Sequence, residues 1–363
     1  MTNITGFTFL STDGKTQLHG MRWEPEGRSV RAVLQICHGV AEHIARYDAF
    51  ARYLNELGIA VVGHDHLGHG RSLPEGGTPV YFGEGNTWHT VVDDIYVLHQ
   101  RIRLWYPDVP LCIMGHSMGS FIAREFAAAY GNSLTAVVFM GTSAGISTAM
   151  WKAERTYLNM LKKAKGARAK IPSLEKIATG PYNKKFKPNR TNYDWVTSKE
   201  EEVDRFVNDP LCGFPLTVQG YIDLGTLLYA INTDQWYRRV PKDLPILLIS
   251  GENDPVGDMG KGVRTTSAAL KALGLAVSDC DGILVTHEHS DHVKGLSTFL
   301  KKNTLPVYGA AETLDFLDSN GIVPASCELH ELEGREEDVG AFGVQSFPTS
   351  HDVPCVGYRI HTP

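Results

Sequence analysis

The segment "LCIMGHSMGS" (111–120) decides the fold, because two glycines join a short apolar run to a helix-like segment. It fits G-x-S-x-G at Gly115, Ser117 and Gly119. A serine at such a strand–turn–helix corner has a strained backbone, and its hydroxyl projects at the C-terminal edge of the sheet. The helix N-terminus there favours developing negative charge. The segment predicts a nucleophilic serine, and the alternative is a serine that only caps a helix.

Further apolar runs bounded by turn residues lie on both sides of this segment. They are "FTFLS" (7–11), "QLHGMRW" (17–23), "AVLQIC" (32–37), "AVVGH" (60–64), "AVVFMG" (136–141) and "ILLIS" (246–250). The first two predict a hairpin that turns at Asp13-Gly14. The others alternate with helix-length segments, which indicates the α/β class with a doubly wound, mostly parallel sheet.

Residues 145–235 interrupt this alternation without a convincing strand and are predicted to be helical. An insertion between sheet strands usually covers the mouth of a site, so we interpret this segment as a helical cap. Within it, residues 151–190 carry 12 Lys or Arg side chains and two Glu side chains. Such a basic surface favours transient contact with a membrane surface or an anionic substrate, and the alternative is a solvated helix face.

An acyl-transfer site also needs backbone donors for the oxyanion and a carboxylate that orients an imidazole. Met118 N–H is one donor by its position, and Val40 N–H in "HGVAEH" (38–43) is expected to be the second. In "LLISGENDPV" (247–256), Asp254 follows a buried strand and is the candidate carboxylate. Its alternative role is that of a turn residue before Pro255.

Five stretches together resemble the monoacylglycerol lipase/lysophospholipase branch of the α/β-hydrolases. They are "HGVAEHIARYDAFARYLNELG", "GHDHLGHGRS", "GHSMGS", "NDPLCGFPLTVQGY" and "SGENDPVGDMGKGV". The resemblance implies an α/β-hydrolase domain over 1–263, with its cap at 145–235, that cleaves monoacylglycerol-like or lysophospholipid-like esters without a cofactor. It implies Ser117 as the nucleophile, Asp254 as the acid, and Val40 and Met118 as the oxyanion donors.

Residues 264–363 instead resemble a truncated segment of the metallo-β-lactamase superfamily, especially its small exonuclease-like members. "THEHSDH" supplies an H-x-H-x-D-H motif, and "TSHDVPCVGYRIHTP" supplies a further histidine. The metal ligands that the resemblance implies are His287, His289, Asp291, His292 and His351. Ligands of these types bind zinc, which activates a water molecule. A zinc site is therefore possible here, although the strands that precede the motif in that superfamily are replaced.

The lipase-like part ends before the histidine that acts as general base in its family. Residues 265–302 have the missing order of helix, strand ("GILVT", 282–286), histidine loop and helix. We expect this segment to complete the hydrolase sheet beside "ILLIS", since a right-handed crossover permits it. His287 is then the predicted base of a triad with Ser117 and Asp254, and His289 is the second choice.

Three functions follow from these patterns. The first is a serine esterase that forms an acyl-enzyme, the second is a zinc-dependent hydrolase or nuclease that uses the histidine cluster, and the third is an inactive fusion product. Six scattered cysteines without a CxxC pair, and no apolar leader or membrane span, predict a cytoplasmic protein. Residues 265–363 carry 14 acidic and six basic side chains, which disfavours nucleic-acid binding.

Overall fold

The chain divides into two compact units, Met1–Leu273 and Gly274–Pro363. The computed structural model describes residues 2–85, 87–272, 281–289, 293, 295–340, 342–350 and 353–361. The domain boundary expected between 263 and 264 lies before this division. The helix α9 (Lys261–Ala272), expected at 265–275, therefore belongs to the first unit.

A seven-stranded sheet in the order β1-β2-β4-β3-β5-β6-β7 forms the first unit. The strands are β1 (Thr2–Leu10), β2 (Gln17–Pro25), β3 (Ala32–Cys37), β4 (Ile59–His64), β5 (Leu111–His116), β6 (Ala136–Met140) and β7 (Ile246–Ile249). β1 and β2 form an antiparallel hairpin and β2 pairs antiparallel with β4, whereas the remaining pairs are parallel. The prediction of a hairpin followed by a mostly parallel sheet is confirmed.

Helices connect these strands and cover the sheet. Beside α9, they are α1 (Asp48–Glu56), α2 (Trp88–Trp105), α3 (Met118–Tyr130), α4 (Thr148–Lys165), α5 (Pro172–Ala178), α6 (Glu200–Asn208), α7 (Val218–Ala230) and α8 (Asp234–Arg239). β3 and β5, at the centre, have buried side chains at most positions, as parallel strands covered on both faces require. One core cluster joins Trp23 of β2, Ile36 of β3 and Met114 of β5 to Ala51 of α1.

The helices α4 to α8 lie between β6 and β7, in a segment that is described throughout. Its residues 145–235 contain no strand, only an isolated bridge between Lys170 and Thr217. α4 begins at a capped end, where Ser147 Oγ accepts a hydrogen bond from Met150 N–H, and it packs on α7. The helical insertion thus lies between two strands of the sheet, where the sequence predicted a cap.

Arg124 of α3 connects the central helix to the end of this insertion. Its side chain is fully buried, and its guanidinium donates to the carbonyl oxygens of Ser143 and Ile231 at 2.9 and 2.6 Å. It also lies 4.5 Å from the ring centroid of Trp236, whose indole N–H donates to Arg124 O at 3.0 Å. These bonds satisfy a charge that would be costly to bury alone, and they attach α7 and α8 to α3.

The second unit contains two three-stranded sheets among its described residues. β8 (Ile283–Leu284), β9 (Val307–Gly309) and β10 (Leu329–Glu331) form a parallel sheet in the order β10-β9-β8. β11 (Glu336–Val339), β12 (Phe342–Pro348) and β13 (Val356–His361) form an antiparallel sheet. The described helices are α10 (Leu296–Leu300) and α11 (Ala311–Ser319).

The expectation that "GILVT" completes the hydrolase sheet is wrong. Ile283 and Leu284 pair with Val307 and Tyr308, and Ile283 N–H donates to Pro306 O at 2.9 Å. In the described residues, β7 pairs with β6 and has no bond to β8. The physical reason is that Val285, Val307, Leu314 and Leu317 form a buried cluster of their own, against which Ile283 of β8 packs.

Four histidines are buried where β3 and β4 end. His66 N–H donates to His38 Nε2 at 3.0 Å, and His38 Nδ1–H donates to Gly39 O at 2.8 Å. Burial is the main reason why the pKa values of all four imidazoles are lowered, to about 4 for His64 and His69 and well below the usual range for His38 and His66. The four rings are therefore neutral at neutral pH and act as packing groups.

This cluster predicts a loss of stability in mild acid. An unfolded histidine binds its proton below about pH 6.5, whereas folded His64 does so only below about 4, so stability falls as the pH drops through that window. His64→Leu should reduce the difference in the free energy of unfolding between pH 7 and pH 4.5 by roughly 2 kcal/mol. The measurement is urea unfolding followed by tryptophan fluorescence, because all six tryptophans lie in the first unit.

Exposed His89 provides the matched control, and His89→Gln should leave the pH dependence unchanged. An unaltered pH dependence in His64→Leu would contradict the neutral, buried state of this ring.

Candidate active site

Ser117 occupies the turn between β5 and α3 in a strained conformation. Its φ of 53° and ψ of −122° lie outside the regions that residues with side chains normally adopt. The surroundings hold this conformation, since Ser117 N–H donates to Met140 O of the neighbouring β6 at 2.9 Å. Ser117 O accepts bonds from Ser120 N–H and Ser120 Oγ at 2.8 and 2.6 Å. The structure thus shows the strand–turn–helix corner predicted from the motif.

The two glycines of the motif are needed because of close backbone contacts. A Cβ on Gly115 would lie 2.1 Å from Gly119 O, and a Cβ on Gly119 would lie 2.0 Å from Cys37 O. Both distances are far below van der Waals contact, so any side chain would push α3 away from β3 and β5. At the start of α3, the first N–H groups have no acceptor within the helix, and Met118 N–H is one of them.

The loop after β3 carries the second predicted donor, Val40, and a carboxylate that the motif analysis missed. Glu42 is 3% exposed. Its Oε1 accepts hydrogen bonds from Gly39 N–H, from Tyr47 Oη at 3.0 Å and from His116 Nδ1 at 3.1 Å, and its Oε2 accepts one from Arg46. Glu42 therefore connects the loop that contains Val40 to the residue that precedes Ser117.

The charge of Glu42 is stabilised despite its burial. Burial by itself would raise the pKa of the carboxyl, but the bond to His116, the charges of His116 and Arg46 and the bond from Gly39 lower it to about 2. The carboxylate is consequently ionised at neutral and mildly acidic pH. Four donors around one ionised, buried group make a rigid support for the loop.

Asp254 lies in the loop after β7, where two donors orient its carboxylate. Oδ2 accepts a hydrogen bond from Ser250 Oγ at 2.9 Å, and Oδ1 accepts one from Val256 N–H at 2.9 Å. A Cβ on Gly141, directly after β6, would lie 3.4 Å from Asp254 Oδ2 and 3.7 Å from His116 Cδ2. Asp254 and His116, the residue before Ser117, thus both lie beside Gly141.

The predicted base and metal ligands belong to the second unit. His287 is 3% exposed, and its Nδ1 lies 3.1 Å from Thr286 Oγ1 and 3.5 Å from Cys355 Sγ. The rings of His287 and His289 have centroids 4.9 Å apart. Asp291, His292 and His351 lie outside the described residues. Two of the five predicted ligands are therefore near each other, with a thiol beside them, which are donor types that zinc accepts.

Two features of this region were not found from the sequence. The sequence motifs did not identify Glu42. The clue that could have found it is a carboxylate three residues after Gly39 in "HGVAEH", just after a buried strand. The second is the proximity of His43 to Asp209 and Cys212, which follows from chain folding and has no signature in the spacing.

Known proteins support both parts of the resemblance. Human monoglyceride lipase is 29% identical over 273 residues, which cover 75% of this chain and 78% of that protein. A thermostable carboxyl esterase from Bacillus coagulans, solved with glycerol, superposes with a TM-score of 0.69 at 30% identity. The superposition covers 75% of this chain and 87% of the esterase. The predicted α/β-hydrolase fold and monoacylglycerol lipase resemblance are confirmed.

The C-terminal part matches a different group of proteins. Residues 254–363 match the family model described as a beta-lactamase superfamily domain. The exodeoxyribonuclease YycJ of Bacillus anthracis is 38% identical over 96 residues, which cover 26% of this chain and 36% of that protein. The second predicted resemblance is therefore confirmed as well, over a part of the relative only.

The turn at Ser117, the loop that contains Glu42 and the carboxylate of Asp254 after β7 all lie in the part of the chain that the first family model matches. That model spans residues 28–278 and is described as serine aminopeptidase, S33. The chain belongs to this serine aminopeptidase (S33) family of α/β-hydrolases.

Proposed function

We propose that the first unit hydrolyses carboxylic esters of the monoacylglycerol or lysophospholipid type through an acyl-enzyme on Ser117. The observation that carries the proposal is the strained turn at Ser117, with φ of 53°, between two glycines that cannot bear side chains. A fold maintains such strain where it serves a function, and here it presents one hydroxyl beside the N-terminus of α3.

The chemistry follows from the positions of these groups. Ser117 Oγ attacks the ester carbonyl carbon as its proton passes to a base, and Met118 N–H and Val40 N–H stabilise the oxyanion. Collapse of the tetrahedral intermediate returns the proton to the leaving alcohol and leaves the acyl group on Ser117. Water then attacks the acyl-enzyme by the same route, which releases the acid and restores the hydroxyl. No cofactor enters these steps.

His287 is the proposed base and Asp254 the proposed carboxylate that orients it. The proposal rests on the family order of nucleophile, acid and histidine, because His287 is the first histidine after Asp254 in the chain and follows it by 33 positions. His289, the neighbour in the same loop, is the second choice. If neither imidazole serves, the oxyanion donors alone leave only residual catalysis.

The substrate class is proposed from two relatives and from the cap. The relatives are a monoglyceride lipase and a carboxyl esterase, and both names concern esters. On the cap, Met150, Met160 and Ile177 are more than half exposed among many lysines. Apolar side chains within a basic surface suit transient contact with an anionic membrane, from which a lipid ester can enter. Among the described residues, no helix combines the length and apolarity required to cross a membrane.

A metal-dependent hydrolysis in the second unit is the alternative function. It is favoured by the match to the beta-lactamase superfamily and by the closeness of His287 and His289. These two residues would hold a zinc ion, which supplies an activated water when bound. Nucleic acid remains a disfavoured partner because of the acidic composition after residue 264, and a cytoplasmic location remains part of the proposal.

Replacement of the nucleophile provides the first test. Ser117→Ala should reduce p-nitrophenyl ester cleavage by roughly a thousandfold or more and abolish labelling by a fluorophosphonate probe, because no acyl-enzyme can form. Turnover rate and probe labelling are the measurements. The matched control is Ser198→Ala in an exposed loop, which should retain both. Undiminished cleavage by Ser117→Ala would refute the proposed nucleophile.

The base is tested by His287→Gln in the presence and absence of EDTA. We expect a loss of about a thousandfold in kcat from the substitution and no effect of the chelator, since the base is a side chain. His89→Gln is the control. Chelator-sensitive turnover that Ser117→Ala leaves intact would select the metal-dependent function. If the protein unfolds cooperatively on heating but shows neither ester cleavage nor chelator-sensitive turnover, it is an inactive fusion product.

Glu42 offers a test of the oxyanion loop. Glu42→Gln should lower kcat roughly tenfold or more and leave KM nearly unchanged, because the loop donor acts on charge that develops in the transition state. The loss should be the same at every assay pH, since the pKa of Glu42 is about 2. Glu56→Gln on the exposed end of α1 is the control. A rise in KM alone would contradict a role in the oxyanion loop.

A further inference from the structure

His43, Asp209 and Cys212 form a cluster of potential metal ligands outside the proposed catalytic groups. His43 follows the loop of Val40 and Glu42, whereas Asp209 and Cys212 lie in the insertion between α6 and α7. One potential ligand atom from each residue lies within 4.8 Å of the others, and His43 Nε2 is 2.9 Å from Asp209 Oδ2. We propose that these three residues bind a zinc ion, with water as the fourth ligand.

The distances suit zinc with small side-chain adjustments. Zinc binds nitrogen and oxygen at about 2.0–2.2 Å and thiolate at about 2.3 Å, so neighbouring donors of a tetrahedron lie roughly 3.5 Å apart. His43 Nε2 and Asp209 Oδ2 are 2.9 Å apart, and all three potential ligand atoms lie within 4.8 Å of one another, so small side-chain movements would give this spacing. Imidazole, carboxylate and thiolate are the three protein ligand types that zinc accepts.

The backbone already holds two of the ligands in place. Asp209 Oδ1 accepts a hydrogen bond from Leu211 N–H at 2.8 Å, which leaves Oδ2 directed at His43. Cys212 N–H donates to Asp209 O at 3.0 Å, and Gly213 N–H donates to Ala41 O at 3.0 Å. The turn and this connection hold the backbone of Cys212 and Gly213 beside the segment of Ala41 without a metal, so little backbone order has to be gained on binding.

The local charges are also compatible with a dication. A thiolate and the carboxylate of Asp209 would balance the two charges of zinc. Arg46, whose positive charge acts on Asp209 and Cys212, is bonded to Glu42, which offsets its repulsion of a bound cation. Zinc binds the thiolate form of cysteine, so binding at Cys212 would release the thiol proton.

The site differs from the histidine motif of the second unit, and its existence does not depend on ester hydrolysis. A bound ion would connect the segment that follows the oxyanion loop to the insertion. Two stretches separated by 166 residues would then share a metal as well as the Gly213–Ala41 bond.

The test is a titration of the full-length protein with Zn²⁺ against a chromophoric chelator, in a His287→Asn/His289→Asn background that removes the rival ligands. We expect one equivalent to bind. Cys212→Ser and Asp209→Asn should each lower the affinity for zinc by more than about 100-fold. Loss of a residue that only supports a ligand lowers the affinity by about 10- to 100-fold. Co²⁺ should give a thiolate charge-transfer band that Cys212→Ser abolishes.

Cys112→Ser, which removes a partly buried thiol of β5, is the matched control and should leave the affinity and the band unchanged. Melting followed by tryptophan fluorescence identifies variants that do not fold, and His43→Gln then serves as a further ligand variant. Equal affinity in Cys212→Ser and its background, equal losses in Cys112→Ser and Cys212→Ser, or no saturable binding would each overturn the proposal.

Discussion

The contact between the backbone of α3 and the end of β3 determines the architecture around Ser117. Gly119 lies so close to Cys37 O, and Gly115 so close to Gly119 O, that neither position has room for a single carbon atom. This approach allows the helix to begin directly over the central strands, with its N–H groups at the sheet edge. The positive φ of Ser117 is the consequence, because the chain must reverse from strand to helix within one residue.

Buried polar groups stabilise the loop that follows β3, next to the turn at Ser117. Glu42 is an ionised carboxylate in a buried position. Hydrogen bonds from Gly39 N–H, from Tyr47 Oη just before α1 and from His116 Nδ1 compensate its desolvation. The buried histidines at the ends of β3 and β4 are neutral packing groups, since burial lowers the pKa of their imidazoles. One buried charge with several donors and a group of neutral rings together give the loop a defined shape in a region of low dielectric constant.

The C-terminal unit shows how a local pattern can suggest the wrong partner. "GILVT" has the composition and the position in the chain of a strand that would extend the hydrolase sheet. Its apolar side chains instead pack with Val307, Leu314 and Leu317, which come from the chain that follows it. Periodicity and chain order indicate that a segment is a strand, but they contain little information about which of two available sheets it joins.

The sequence by itself determined the main strands of the first unit, the corner at Ser117, the family of the first unit and the resemblance of the C-terminal part to the beta-lactamase superfamily. These features depend on local patterns: apolar runs of strand length, glycines around a serine and motifs of fixed spacing. Tertiary structure alone decided the sheet to which β8 belongs, the hydrogen bonds of Glu42 and the proximity of His43 to Asp209 and Cys212. The physical reason is that burial and long-range packing set these contacts. Groups far apart in the chain meet only when the whole core forms, and no spacing rule records that.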